Sequence, residues 1–388
     1  MGNKWVVYTL ALAVFLIGTV EYLISGIIQI VAVDLGVTTS SAGLLVTAFA
    51  LSAAIGAPII IAATIYLDRK KLLLTMLGIF MLSNWLVYVS PSFEMMLVTR
   101  MIQGLSGGVA TVVAMAVSTQ LVEEGNRGRA IGIILMGLSS SLVLGLPVGT
   151  YLSEAIGWRL LFIFIGLLGL IPLLVIYKKV PPIKAQETVT PRVQLAVIKN
   201  KKILAAVVIT LLYIGAYSTV FTYIAPFLLT RAELSASEIS AILFLAGICS
   251  FMGSKIGGVI ADRKGPKFSI YFGLSLQASM LLLLSVMDGV ITVHIVIIML
   301  WMLATWATSP AQQLYLVTQV PRSPDIALGI NTSFIQFGFA LGSWVGGLVI
   351  SNASVEHLGW SGFVIALLSL LLAIRLFSLK KEKEQLSA

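Results

Sequence analysis

A series of long apolar runs limits what this chain can fold into more than any other feature. A helix needs roughly 20 apolar residues to cross the hydrocarbon core of a bilayer, and runs of that length follow one another along the sequence. Of the 388 residues, 59% are hydrophobic and only 11% are charged. A soluble domain cannot hide that much apolar surface, because its outside must stay polar. The sequence therefore predicts that lipid surrounds most of this protein.

Twelve segments have the length and apolar character of membrane helices. Backbone groups in lipid must be hydrogen-bonded within the protein, so each segment is interpreted as a helix. Their continuous apolar runs lack the alternation that a membrane barrel shows. The predicted fold class is an all-α membrane protein with twelve transmembrane helices. The segments run approximately over 5–33, 41–67, 72–90, 93–122, 130–156 and 158–177, and then over 203–229, 238–261, 268–288, 291–319, 326–350 and 361–379.

Lysine and arginine are concentrated in one set of connecting loops, and such loops remain on the cytoplasmic side of a membrane. The opposite loops hold only Arg159 and Arg231. We therefore expect a multi-pass protein of the cell membrane with both termini in the cytoplasm. The basic loop residues are Arg69, Lys70, Lys71, Arg127, Arg129, Arg263, Lys264, Lys267 and Arg322.

The sequence repeats itself on either side of a polar stretch at 178–202, which contains prolines and basic residues and is interpreted as a cytoplasmic linker. Repeats that cross the membrane in the same direction predict two pseudo-symmetric six-helix bundles with a substrate cavity between them. The recurring residues are Asp68-Arg69-Lys70 with Asp262-Arg263-Lys264, Gly145 with Gly342, and Gly149 with Gly346. The predicted domains are an N-terminal bundle at 1–177, the linker, a C-terminal bundle at 203–379, and a cytoplasmic tail at 380–388.

Composition argues against several other functions. The formal charge is +9, but the positive residues form no basic helical face, so no nucleic-acid partner is expected. The single cysteine, Cys249, and the two distant histidines, His294 and His357, do not form a metal-site pattern. No G-x-x-x-x-G-K-[ST] motif for ATP occurs. We expect a monomer without a cofactor, which lies in the bilayer, binds a small molecule and uses protons.

One acidic residue, Glu21, lies near the middle of a predicted span. The first helix centres near residue 19, so at roughly 1.5 Å per residue Glu21 lies within about 3 Å of the midplane. A charge there costs about 3 kcal/mol on insertion scales, which makes an intramembrane carboxyl a functional hypothesis by default. A carboxyl whose protonation depends on a nearby cation can exchange a proton for a solute. The alternative is a permanently protonated group that hydrogen-bonds between helices.

Arg100 in the fourth span is placed at a depth from which it can reach Glu21. Arginine stays protonated, so it can act as a fixed counter-charge for an acid. We predict that Glu21 and Arg100 are the proton-coupling residues. The alternative for Arg100 is a structural ion pair, or hydrogen bonds to backbone carbonyls in the bundle.

Three motifs allow a comparison with known families. They are GVIADRKGPK at 258–267, Arg100-Met-Ile-Gln103-Gly104, and Gly145, Pro147 and Gly149 followed by Gly157-Trp158-Arg159. They resemble the G-x-x-x-D-R-x-G-x-[RK] signature, the R-x-x-q-G motif and the antiporter motif of the major facilitator superfamily, in its drug:proton antiporter branch with twelve spans. The first-half loop departs from the signature, because Thr64 replaces the first glycine and Lys70-Lys71 replaces the second.

This resemblance implies the major facilitator fold, alternating access and antiport. It also implies a gating role for the charged pairs Asp68-Arg69 and Asp262-Arg263, although cytoplasmic topology alone explains the basic members. Gly145, Pro147 and Gly149 are predicted to form a close seam between the fifth and eleventh spans, and simple helix packing is the alternative.

A finer resemblance is to bacterial purine base and nucleoside efflux proteins. It rests on GTVEYLISGI in the first span, RAIGIILMGLSSSLVLGLPVG in the fifth, SPAQQLYL in the tenth and NTSFIQFGFALGS in the eleventh. Sugar-efflux and chloramphenicol-type exporters share the first of these more loosely. The resemblance implies export of purine bases, nucleosides or their analogues, with multidrug, chloramphenicol-type or sugar efflux as the alternative.

Polar and aromatic residues of the later spans are the candidates for binding a solute. Amide groups can pair with the donor and acceptor edge of a nucleobase, while aromatic rings stack on its face. The alternative for the aromatic residues is a core or lipid-facing position, whereas lipid would penalise the amides. The predicted substrate-binding residues are Tyr217, Phe221, Gln312, Gln313, Asn331 and Gln336.

A membrane-embedded enzyme and a channel are the alternatives to a carrier. A membrane-embedded enzyme would need a nucleophile and base, or metal ligands, at membrane depth, and no such set is found in the sequence. A channel does not explain one mid-membrane acid together with a two-half repeat. The sequence therefore predicts a proton-coupled efflux transporter and not an enzyme.

Overall fold

All regular secondary structure in the part of the chain that the structure describes is helical. A computed structural model describes residues 4–64, 66–183, 199–287, 290–320 and 324–385. Within these ranges, twelve helical spans are long and apolar enough to cross a membrane. The predicted all-α membrane protein with twelve transmembrane helices is thereby confirmed.

The chain divides into two compact units. The first comprises 1–188 together with 234–244, and the second comprises 189–233 together with 245–388. The division near residue 188 falls inside the predicted linker. The domain boundaries given above remain predictions.

Some predicted features fall on residues outside the described ranges. Of the predicted linker, residues 184–198 lie outside, and so does the basic loop residue Arg322. Of the predicted tail at 380–388, the last three residues lie outside, while the final helix continues as far as Gln385.

Eight α-helices lie entirely within the described residues of the first unit. Its fifth span is one continuous helical rod in which a π-helical segment, Ser141–Gly145, separates α5 from α6. The bounds are α1 Lys4–Asp34, α2 Thr39–Ala63, α3 Arg69–Val89, α4 Phe93–Gln120, α5 Arg127–Ser140, α6 Leu146–Ile156, α7 Trp158–Leu168 and α8 Leu170–Lys179.

Seven further α-helices follow in the described residues of the chain. One of them, α11, begins in the first unit and ends in the second. The bounds are α9 Lys201–Phe221, α10 Ile224–Arg231, α11 Ala236–Lys264, α12 Pro266–Val286, α13 Ile291–Gln319, α14 Pro324–Asn352 and α15 Leu358–Gln385.

Local sequence explains where several of these helices begin. Thr38 and Ser92 cap α2 and α4, because their side-chain oxygens accept hydrogen bonds from backbone N–H groups of the first turn. Gly157 and Gly265 precede α7 and α12 with φ of +84° and +85°. Few residues other than glycine adopt that backbone conformation, so these positions fix the breaks between spans.

One helix lies at the centre of each unit. In the first unit, α1 packs against α2 and α4 to α8, and Leu10, Val14 and Val20 on it are fully buried. In the second, α9 packs against α13, α14 and α15, and Ile209 and Ala216 on it are fully buried. Polar groups that face these two helices are therefore shielded from water by their own unit.

Small residues allow α1 and the fifth span to approach closely. A Cβ on Gly145 would overlap the side chain of Thr19, and one on Gly26 would overlap the side chain of Thr150. Glycines on each helix thus face hydroxyl-bearing residues on the other. This contact fixes α1, which carries Glu21, against the π-helical segment.

Candidate functional site

Arg100 lies at the centre of the first unit and has no exposed surface. Its Nε donates to the Leu45 carbonyl of α2 at 3.1 Å, and its Nη1 donates to the Val20 carbonyl of α1 at 3.1 Å. Its guanidinium carbon also lies 4.5 Å from the centre of the Phe49 ring. One arginine therefore connects α4 with the two helices beside it.

Glu21 lies on α1 directly after Val20, whose carbonyl accepts from Arg100. Its side chain is half-buried, and its charge acts on Arg100. Arg100 Nη2 has no hydrogen-bond partner among the described residues. The structure thus brings the two predicted proton-coupling residues together within one unit. It also shows the backbone hydrogen bonds that were the alternative for Arg100.

Two buried amides extend this site, and only the first was part of a motif. Gln103, one turn after Arg100, accepts from its Nη1 at 3.0 Å. Asn84 on α3 accepts from Gln103 Nε2 at 3.2 Å. The sequence analysis missed Asn84, although a polar amide inside an apolar span was a signal that could have found it.

An aromatic cluster lies inside the second unit. Tyr217 stacks on Phe221, with ring centroids 4.7 Å apart and planes 19° apart. The rings of Trp301, Phe339 and Trp306 surround Tyr217 at centroid distances of 5.4, 5.8 and 6.2 Å. The predicted pair Tyr217 and Phe221 is therefore in contact, and Trp301 is a member that the sequence analysis missed.

The predicted amides differ in their surroundings. Gln312 is fully buried, and its Nε2 donates to the Ala206 carbonyl of α9. Its Oε1 has no hydrogen-bond partner within the described parts of the chain. Asn331 is also buried, but its Oδ1 already accepts from Thr210 at 2.7 Å.

The two remaining predicted amides are half-buried. Gln313 Nε2 donates to Ser309 on its own helix at 3.4 Å. Gln336 lies on α14.

A further amide, Gln277 on α12, was missed by the sequence analysis. It is fully buried, and its Nε2 donates to the Tyr213 carbonyl at 2.9 Å. Among the predicted substrate-binding amides, Gln312 is therefore the one that is fully buried and has an acceptor oxygen without a partner among the described residues.

The predicted gating charges occupy helix ends. Asp68 caps α3 by accepting from the Lys71 backbone N–H at 3.0 Å. Arg69 is 4% exposed, and its backbone N–H donates to the Ile183 carbonyl. Asp262 and Arg263 are exposed in the last turn of α11. No ion pair of these four residues is found among the described side chains, so the structure assigns Asp68 a capping role.

The glycines of the fifth span lie against the central helix of the first unit. Gly145 faces Thr19 and Gly149 faces Leu23, both on α1. In the second unit, Gly342 and Gly346 approach α9 in the same way. Each of these glycines therefore approaches the central helix of its own unit, and the seam between the fifth and eleventh spans stays a prediction.

Pro147, the third member of that motif, is buried near the start of α6. Its carbonyl accepts from the Ser240 hydroxyl at 2.6 Å, and both residues belong to the first unit. Proline lacks a backbone N–H, so it suits a position directly after the π-helical segment.

Arg159, which the sequence analysis treated as a loop residue and as part of a motif, has a structural role. It forms an ion pair with Asp34 at 2.9 Å and donates to the carbonyls of Val87 and Ser90. It therefore ties the ends of α1 and α3 to the start of α7.

Among the described residues, no group of three or more potential ligands that could hold a metal ion is found.

A chain with twelve membrane-spanning helices and a buried arginine beside a mid-span carboxyl has the architecture of a multi-pass membrane transporter. Comparison with known families agrees. The family model of the Major Facilitator Superfamily matches residues 10–325, and the chain belongs to that superfamily.

Relatives support the same class, and a solved structure supports the fold. The chain is 35% identical to "Uncharacterized MFS-type transporter YbcL" of Bacillus subtilis (strain 168), over 97% of either chain. It is 28% identical to "Inner membrane transport protein YdhP" of Escherichia coli (strain K12), over 99% of this chain and 98% of that one. Its fold is similar to the crystal structure of a bacterial homologue of the human lysosomal transporter Spinster, with a TM-score of 0.78, 17% identity and 97% of each chain covered.

Proposed function

We propose that this transporter is a proton-coupled exporter of the cell membrane, which exchanges protons for small organic solutes by alternating access. The observation that carries the proposal is the fully buried Arg100 with the charge of Glu21 beside it. A guanidinium stays protonated, so it is a fixed positive charge next to a carboxyl that can gain or lose a proton. Export is supported by the resemblance of the fifth span to the antiporter motif, and cytoplasmic termini by the distribution of Lys and Arg.

The geometry around Arg100 supports a simple role in such a cycle. When Glu21 is ionised, the guanidinium supplies the counter-charge. When Glu21 is protonated, the guanidinium keeps its bonds to the Val20 and Leu45 carbonyls, so the arginine need not leave its place. A charge that stays fixed while its neighbour titrates makes proton binding depend on what else approaches the carboxyl.

Purine bases or nucleosides are the proposed solutes. The cluster around Tyr217 offers aromatic faces on which a flat ring can stack. The Gln312 Oε1 offers an acceptor for a ring N–H or an exocyclic amine. Resemblance to purine efflux proteins in four spans supports the same class of solute.

A second candidate is export of lipophilic drugs, of the multidrug or chloramphenicol type. The aromatic cluster favours it, since Trp301, Phe339 and Trp306 around Tyr217 form an apolar surface that needs no polar edge on the solute. Sugar efflux remains the third alternative from the sequence resemblance. The range of exported solutes separates the three.

The proton-coupling role is tested with Glu21→Gln in proteoliposomes under an imposed pH gradient. Glutamine keeps the size and polarity of the side chain but cannot ionise, so gradient-driven movement of labelled adenine or hypoxanthine should fall to the level of empty vesicles. Counterflow, in which labelled solute exchanges for unlabelled solute without a pH gradient, should persist.

Glu94→Gln is the matched control, because Glu94 is exposed in the first turn of α4. It should leave both measurements unchanged. Normal gradient-driven transport by Glu21→Gln would remove Glu21 from the coupling mechanism.

A further inference from the structure

A chain of buried amides leads away from Arg100 to the third span. Gln103 Oε1 accepts from Arg100 Nη1 at 3.0 Å, and Gln103 Nε2 donates to Asn84 Oδ1 at 3.2 Å. Asn84 Nδ2 in turn donates to the Phe80 carbonyl, one turn earlier on α3, at 2.7 Å. The side chains of Arg100, Gln103 and Asn84 are all 0% exposed. Every link is therefore shielded from bulk water.

The Phe80 carbonyl fixes the direction of every bond in this chain. A carbonyl can only accept, so Asn84 must turn its NH2 group towards it and its oxygen towards Gln103. Gln103 must then present its own oxygen to the guanidinium, which has donors only. An inverted Gln103 amide would place donor against donor in a buried site, which is costly.

We propose that Asn84 is a positioning residue for proton coupling. By fixing the direction of the Gln103 amide, it holds the Arg100 guanidinium where its charge acts on Glu21. The same atom, Arg100 Nη1, donates both to Gln103 and to the carbonyl of Val20, the residue before Glu21. This inference rests on the proposed proton-coupled function.

The charges around this network leave Glu21 as its titrating neighbour. Helix α2 carries no charged residue. Among the described side chains of α1 to α8, the remaining charged residues lie in the first or last turn of a helix: Asp34, Arg69, Lys70, Lys71, Glu94, Arg127, Arg129, Glu154, Arg159, Lys178 and Lys179.

The variant that tests the proposal is Asn84→Ser. A serine hydroxyl can bond the Phe80 carbonyl within the helix, as the Ser83 hydroxyl does at 2.7 Å, but it is too short to hold Gln103. The pH dependence of gradient-driven adenine transport is measured in proteoliposomes. We expect the pH of half-maximal transport to move by about 0.5 unit or more, with counterflow retained, because a hydrogen bond that places a charge is lost.

Ser83→Ala is the matched control. Ser83 neighbours Asn84, is 1% exposed and bonds the same Phe80 carbonyl, yet it has no link to Gln103. Its pH profile should be that of the wild type. If Asn84→Ser does not reach the membrane, Asn84→Thr is the second variant, since its hydroxyl can make the same local bond.

A double variant separates positioning from simple structural support. If Asn84 acts through Gln103, then Asn84→Ser should add no further shift to Gln103→Met. Additive shifts, a wild-type pH profile for Asn84→Ser, or loss of counterflow together with the pH response would each overturn the proposal.

The proposed function and this inference fail in different ways. If Glu21→Gln keeps normal gradient-driven transport, proton coupling through Glu21 fails and the positioning role fails with it. If Glu21→Gln abolishes that transport while Asn84→Ser keeps the wild-type pH profile, only the positioning role is wrong.

Discussion

Arg100 has no exposed surface, and its hydrogen bonds go to backbone carbonyls on two neighbouring helices and to Gln103. Burial of a charged side chain is costly, and the bonds of Nε and Nη1 offset part of that cost, while Nη2 has no hydrogen-bond partner among the described residues. The same rule applies to Asp68, whose carboxylate caps α3. At the scale of single residues, the partner of a polar group therefore decides whether it supports the fold or the transport cycle.

Asp68→Asn separates capping from gating by charge. Asparagine caps a helix about as well as aspartate, so it should leave thermal unfolding in detergent and transport unchanged. Asp68→Ala should lower stability by about 0.5–2 kcal/mol, because the Lys71 N–H loses its acceptor. Unfolding curves and counterflow rates of the purified variants provide the measurement.

Asp262→Asn is the matched comparison for that experiment. Asp262 is exposed in the last turn of α11, where a negative charge is unfavourable to the helix, so neutralising it should not lower stability. If both asparagine variants lost transport while keeping their stability, the two aspartates would act through charge, as the predicted gate requires.

The sequence was informative about charged residues and much less so about amides. Glu21 and Arg100 stand out because a charge inside an apolar run has few explanations. Asn84 and Gln277 do not, since an uncharged amide in a span can face any neighbouring helix. Their partners depend on how the helices pack, which the apolar pattern does not specify.

At the scale of a helix, the fifth span also has one feature that the sequence predicted and one that it did not. An apolar run predicted one helix at 130–156, and the structure has helical residues from Arg127 to Ile156. The π-helical segment Ser141–Gly145 was not predicted, because a local change of helical pitch leaves the apolar run unbroken. This segment lies where the fifth span meets α1, and glycines allow the close approach.

Gly26→Ala tests the contact between α1 and the fifth span. Its new methyl group would overlap Thr150 Oγ1 and lie 3.0 Å from Leu146 Cδ1, which is closer than ordinary contact. We expect a loss of about 1–3 kcal/mol of stability, as for other overpacked sites. Thermal unfolding in detergent measures it.

Adding Thr150→Ala should restore most of that loss. It removes the overlapping oxygen, and the Thr150 Cβ then lies at an ordinary 3.4 Å from the new methyl group. Gly132→Ala on α5 is the control, since no atom lies within 4 Å of its added Cβ. Equal losses for Gly26→Ala and Gly132→Ala would show that the effect is not packing against Thr150.

The two units share one arrangement of helices but differ in the polar residues that they contain. Each unit surrounds a central helix, and glycines of a later span pack closely against it. The first unit holds a charged site, Arg100 and Glu21 with the amides of Gln103 and Asn84, while the second holds the aromatic cluster around Tyr217 together with uncharged amides. The repeat could be predicted from recurring motifs, but the second unit's cluster around Tyr217 could not, because aromatic residues occur throughout membrane helices.

The polar residues of the second unit lead to a prediction about the solute. Gln312 is buried with an unused carbonyl oxygen, whereas its neighbour Gln313 is half-buried and bonded within its own helix. A hydrogen bond to a neutral group is worth about 0.5–1.5 kcal/mol, and a buried partner left unpaired costs about 1–3 kcal/mol. Gln312→Ala should therefore weaken purine export about 2- to 100-fold, given a tenfold change per 1.4 kcal/mol.

Gln313→Ala should have little effect on the same transport, which makes it the matched control. Export of a lipophilic drug should hardly respond to either variant, because aromatic and aliphatic contacts hold such a solute without an amide. Cells that overproduce the wild-type protein should resist toxic purine analogues and release hypoxanthine-like compounds, and Gln312→Ala should reduce both effects. Resistance to dyes and antibiotics alone, unchanged by Gln312→Ala, would contradict the purine assignment and favour multidrug export, since the aromatic cluster would then be sufficient for binding.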